Sequence, residues 1–239
     1  TFPQVALYFL RGTKSVKRSS GTDEQRFKPL VSYFDDELNM NTLSSDDVRG
    51  YIQSRLLEDI ANKTINKELS VLSTAIKWCN SQFDWALPNP CVGKRLPEEE
   101  VEARCLSATE VKLLLKAARD TTLPDNQNKH TKIYLPEFII LGFTTMMRPS
   151  EMLELEWGRV DFSSKTVELR VEDTKGKQRR LVPLNDDAVG ALLRLRRVCD
   201  ENFPDTPWVF THTKPRHFGK RIKSVSVVFA TAVARAEIA

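Results

Sequence analysis

No apolar run in these 239 residues is long enough to cross a bilayer, and no basic leader with a small-residue cleavage site precedes the opening segment, TFPQVALYFLRG. The expectation is a cytoplasmic protein with no membrane partner. Cysteine is scarce. Cys79, Cys91, Cys105 and Cys199 lie scattered, with no C-x-x-C pair and no histidines close by, so they read as free thiols, and neither a zinc site nor a disulfide framework is expected. No cofactor is called for. No internal repeat is evident. The mix of 41% hydrophobic and 28% charged residues disfavours a disordered chain, and the length favours two domains, each with its own core.

An excess of charge of one sign is nearly absent overall, because the formal net charge is only +4. Its distribution is uneven. From Thr174 to Lys223 there are twelve Lys and Arg against five Asp and Glu. Such a stripe suits a phosphate backbone, although the solvated faces of ordinary helices also produce charge runs.

The first segments read as helices only: TFPQVALYFLRG; TDEQRFKPLVSYFDDEL with a Thr or Asp cap; SSDDVRGYIQSRLLEDI with a Ser cap; and the long apolar-periodic NKTINKELSVLSTAIKWCNSQ. This gives a helical domain over 1–92. The stretch PNPCVGKRLPEEEVEARCL, with three prolines, a glycine and an acidic run, then breaks the pattern, and 93–105 is read as a linker. A second domain over 106–239 opens with Ser107 and Glu110 as a capping box and continues with the buried helix LPEFIILGFTTMM and the short helix SEMLELEW behind Pro149. RVDF, KTVELRV and QRRLVPL alternate like strands of a small antiparallel sheet, and NDDAVGALLRLRRVCDEN returns to helix. The fold class is therefore mainly α with a small antiparallel β-sheet.

Two positions in the second domain carry candidate chemistry. Arg148 stands at a helix junction, where its planar fork can meet two phosphate oxygens, and Glu151 is one turn on, able to hold it. An Arg and Glu three apart are also ordinary helix decoration. Lys175 lies in the turn DTKGK, where it can reach a groove of DNA and act as a proton donor, or can simply be solvated.

Taken together, these segments resemble a family. TTMMRPSEMLELEWGRVDF resembles the first active-site box of the tyrosine recombinases, the phage integrase family, matching at Thr145, Arg148, Glu151, Leu155 and Trp157. DTKGKQRRLVPL resembles that family's hairpin lysine segment, matching at Thr174, Lys175, Arg179 or Arg180, Val182, Pro183 and Leu184. NKTINKELSVLSTAIKW is similar to the DNA-facing helix of the family's core-binding domain, and LSATEV to the start of its catalytic domain. The resemblance implies an all-helical core-binding domain followed by an α+β catalytic domain. It implies metal-free cleavage and rejoining of DNA through a phosphotyrosyl intermediate, with Arg148 clamping the phosphate, Lys175 as general acid and Glu151 supporting the arginine. Double-stranded DNA is the implied partner, with a homo-tetramer on DNA for the full-length protein of a prophage or mobile element. Candidate DNA contacts are Lys63, Thr64, Asn66 and Lys67 on the first domain, with Lys14, Lys17 and Arg18 as a second patch. On the second domain they are Lys177, Arg179, Arg180, Lys214, Arg216, Lys220 and Arg221.

The pattern is broken at two places. Met146 stands where the family has glycine, so the turn before Arg148 must form without a residue free to take positive φ. The second box, H-x-x-R followed by a nucleophilic tyrosine, is not found: Lys220 follows His217 at the arginine's offset, and Tyr8, Tyr33, Tyr51 and Tyr134 all precede Arg148. The expectation is a chain truncated before that box, which binds DNA without cleaving it. The competing readings are a non-catalytic DNA-binding regulator that kept the clamp, and a protein-interaction scaffold.

Overall fold

The computed structural model describes residues 1–17, 20–100, 104–120, 128–170, 178–213 and 217–238. The chain divides into two compact units, Thr1–Ala103 and Arg104–Ala239.

Unit 1 is built from α1 (Phe2–Thr13), α2 (Ser20–Tyr33), α3 (Ser45–Leu57) and α4 (Asn62–Phe83). Helix α4 organises the others. Its inner face repeats Ile65, Leu69, Leu72, Ile76 and Cys79 at helical spacing, all buried, against Phe2, Phe9, Leu30 and Tyr51 from the remaining helices. Ser44 caps α3, accepting from the backbone N–H groups of Asp46 and Asp47 while Asp47 accepts from the Ser44 N–H at 2.8 Å. Helix α2 starts at Ser20, before the expected Thr22 or Asp23 cap. Asp23 lies inside the first turn instead, buried and 2.8 Å from the Lys17 ammonium.

The α3–α4 contact contains a charged core. Tyr51 donates to Glu68 at 2.7 Å, and Arg55 donates to the same buried carboxylate through Nε and Nη2 at 3.1 and 2.9 Å. Burial and this carboxylate push the Tyr51 phenol well above its usual range. After α4, Asp84 takes a left-handed conformation and the chain returns along the helix, where Asn80 and Asn66 fasten it at Leu87 and Leu96.

Unit 2 comprises α5 (Ala108–Asp120), α6 (Asn128–Thr145), α7 (Pro149–Leu153), strands β1 (Val160–Asp161), β2 (Thr166–Leu169) and β3 (Arg180–Pro183), then α8 (Asp186–Asn202) and α9 (Ser226–Arg235). Helices α5, α8 and α9 pack on α6. The three strands form an antiparallel sheet in sequence order. Its register pairs Val167 with Val182 and Leu169 with Arg180. Directly opposed residues share a face, so Val167, Leu169 and Val182 enter the core and Arg180 stands on that same side at the strand's end. Leu181 points the other way and is exposed. The Ser107–Glu110 capping box is present, with bonds of 2.7 and 3.2 Å.

Candidate nucleic-acid interface

The junction between α6 and α7 sets the position of Arg148. Helix α6 ends at Thr145, and Met146 follows at φ 53°, the left-handed conformation that commonly closes a helix. Met146 is exposed, whereas Met147 turns into the core. The chain then becomes extended at Arg148, φ −66° and ψ 149°, and Pro149 begins α7 with its fixed φ. The expected turn therefore forms without glycine, and Met146 bears the cost of positive φ.

Within α7 the Glu151 side chain is wholly buried and anchors three donors. Its Oε2 accepts the Arg148 backbone N–H at 2.8 Å and Arg180 Nη2 at 2.8 Å, while Oε1 accepts Arg148 Nη1 at 2.9 Å. The two arginine side chains remain 52% and 43% exposed, so each guanidinium is fixed on its inner side and has further N–H donors to offer. One carboxylate between two arginines leaves a net positive charge, which suits a phosphate.

A second surface lies on unit 1. Lys63, Lys67, Ser70, Thr74 and Lys77 follow the helical repeat along the outer face of α4, and all are exposed. With Arg95 from the returning chain they line a groove of about 540 Å³. Glu98 closes one end, where hydrogen bonds from Asn66 and Arg95 hold its carboxyl below the usual range.

Some expected contacts have other work. The Asn66 amide, expected to meet DNA, donates to Leu96 O and Glu98 and accepts from the Leu96 N–H. Lys17 pairs with Asp23 and lies over the Phe9 ring. Arg179 pairs with Glu168 across the outer face of the sheet, and Arg221 pairs with Glu154 and lies over Trp208. Lys63, Thr64, Lys67, Lys14 and Lys220 are exposed. Arg18, Lys175, Lys177, Lys214 and Arg216 fall outside the described residues. Sequence reasoning did not single out Ser70, Thr74, Lys77 or Arg95. The first three continue the spacing of Lys63 and Lys67 and were legible in it, but Arg95 depends on how the chain folds back.

A family model described as the phage integrase family matches residues 104–239. This chain belongs to the phage integrase family. The tyrosine recombinase box read from Thr145 to Trp157 thus falls inside the family match, as do the strands of the sheet. Among relatives of the family, a putative integrase/recombinase of Haemophilus influenzae is 25% identical over 195 residues, covering 82% of this chain and 62% of that protein. Tyrosine recombinase XerC of Chlamydia caviae is 26% identical over 194 residues, covering 80% of this chain and 57% of that protein. The chain therefore spans less than two thirds of either relative. Among solved structures, a Tn1549 transposon integrase in complex with circular intermediate DNA superposes with TM-score 0.74 at 16% identity, covering 99% of this chain and 78% of that one. A lambda integrase tetramer bound to a Holliday junction gives TM-score 0.72 at 16% identity, covering 99% and 66%. These structures share the integrase fold, mostly helical with a small antiparallel sheet.

Proposed function

We propose that this chain is the duplex-binding and phosphate-clamping part of a site-specific tyrosine recombinase of a prophage or other mobile element, working in the cytoplasm and assembling as a tetramer on DNA. The observation that carries the reading is the Arg148 guanidinium, fixed at one nitrogen by the buried Glu151 and half exposed. A guanidinium held so adds electrostatic stabilisation without reorganising when charge builds on a phosphorane-like transition state. In the proposed reaction a tyrosine oxygen attacks the phosphodiester and forms a 3′-phosphotyrosyl bond. The bond to the 5′ oxygen breaks, and Lys175 supplies that oxygen's proton. The nucleophile is not assigned to Tyr8, Tyr33, Tyr51 or Tyr134, which precede Arg148 and include the buried Tyr51 and Tyr134. The groove of α4 supplies sequence-independent phosphate contacts on unit 1.

The test is duplex DNA binding across a salt series, together with a search for covalent protein–DNA adducts. The expected result is affinity that falls steeply with salt and no adduct from this polypeptide. Salt-independent binding, or none, would overturn the DNA reading. In a recombinase containing the second box, Lys175→Ala should slow cleavage, and a 5′-thiolate leaving group should restore much of the rate. No rescue would remove the general-acid role.

A further inference from the structure

We propose that Arg180 is a positioning residue for Arg148, acting through Glu151: it neutralises the carboxylate that fixes Arg148 and so leaves Arg148 its positive charge for a phosphodiester. The inference rests on the reading of Arg148 as a phosphate ligand and deepens it.

The problem that Arg180 solves is electrostatic. Glu151 must be placed where it is, because it receives the Arg148 backbone N–H and starts α7, and because its bond to Nη1 fixes the side chain that is to meet the phosphate. A buried carboxylate is also the worst neighbour for an anion. With Arg148 alone beside it, the pair would be neutral, and an approaching phosphate would meet attraction and repulsion of equal charge at similar distance. The second guanidinium removes this conflict. Arg180 Nη2 lies 2.8 Å from Glu151 Oε2, while Arg148 Nη1 takes the other oxygen, so the carboxylate is engaged at both oxygens and the group of three carries one net positive charge.

The fold supports this division of labour. Arg180 reaches Glu151 from strand β3, whose register with β2 puts it on the core side of the sheet opposite Leu169. Arg179, one residue earlier, pairs with Glu168 on the outer side. Strand periodicity therefore selects one arginine of the adjacent pair for Glu151 and denies the site to the other.

A direct phosphate ligand and a charge-balancing residue respond differently when the carboxylate is removed. The experiment titrates inorganic phosphate into the chain while following the Arg148 side-chain ¹⁵N–¹H resonance, with duplex DNA binding measured in parallel. Arg180→Ala should weaken phosphate binding at Arg148 by about tenfold, the order expected when one nearby unit of negative charge is left unbalanced. Adding Glu151→Gln to that variant removes the uncompensated charge yet keeps an acceptor for the Arg148 N–H, and should restore binding to within about threefold of wild type. Arg180→Lys, which keeps the charge, should lose less than Arg180→Ala and guards against a variant that fails for reasons of folding. The inference is overturned if phosphate leaves the wild-type Arg148 resonance unmoved, if Arg180→Ala binds as tightly as wild type, or if Glu151→Gln brings no rescue. Should the phosphate series behave as expected while wild type shows no salt-dependent affinity for duplex DNA, the positioning role stands and the recombinase reading fails.

Discussion

Glu151 and Arg180 lie 29 positions apart in sequence, yet Oε2 of one and Nη2 of the other are 2.8 Å apart, tying the start of α7 to the sheet. The contact has a consequence for stability. Glu151→Ala removes the acceptor of the Arg148 N–H and of two guanidiniums, but those guanidiniums are half exposed and can be resolvated. The loss should therefore be about 2 kcal/mol rather than the larger figure for stranding a fully buried charge. Urea unfolding of the variant checks it, and an unchanged midpoint would show that Glu151 does not anchor unit 2.

Met146 gives an opposite sign. Its φ of 53° is one that a side chain adopts at a cost, and its own side chain is 78% exposed, so little packing offsets that cost. Met146→Gly should stabilise the protein by roughly 0.5–1 kcal/mol, the strain relieved being partly offset by the greater entropy of an unfolded glycine. A rise in thermal midpoint is the expected result. A fall would mean that the methionine makes a contact more valuable than the relief of strain.

The same junction shows what could be read in advance. Glycine at Met146's place in the family pattern pointed to positive φ, and Pro149 to a helix start; both features concern local backbone geometry, which short motifs encode. The segment read as helix from Leu135 is longer than that run shows: α6 begins at Asn128 and continues through Pro136, so its polar first turns lie outside the apolar run. The choice between Arg179 and Arg180 was legible in principle, because alternation from the inward Val182 places Arg180 on the core side. That Glu151 awaits it there is a tertiary fact with no local signature. Asn66 shows the same limit from the other side: its amide holds the returning chain at Leu96, a pairing 30 positions away that no local pattern announces.

Acid should weaken the cap of α3. Hydrogen bonds from the Ser44 side chain and backbone lower the Asp47 carboxyl below its ordinary value of 3.8. A carboxyl whose folded pKa is depressed contributes stability that is complete above the unfolded value and is lost as pH falls through the folded one. The stability difference between wild type and Asp47→Asn should thus be constant from pH 7 to 5 and shrink below about pH 4. Thermal unfolding at these pH values measures it. A difference that persists undiminished at pH 2 would show that the carboxylate charge is not what stabilises the cap.

The α4 groove makes a prediction that needs no knowledge of the target sequence. Lys63, Lys67 and Lys77 lie on one helical face with their side chains exposed, and Arg95 joins them along the same groove. If these cations meet phosphates, each replacement by alanine removes about one released counterion, and the slope of log affinity against log salt should become shallower by about 0.9. The triple lysine variant should lose close to three times that amount, because the slope counts the phosphates neutralised, one for each lysine. The loss should be uniform across unrelated duplexes, since phosphates carry no sequence. Changing Asn66 to alanine provides the contrast: its amide fastens the chain at Leu96 and Glu98, so unit 1 should lose stability. Its salt slope should not change while the unit remains folded. A slope that moves with Asn66 and stays fixed with the lysines would reverse the assignment, placing the DNA contact at the groove's end and leaving the lysine face merely solvated.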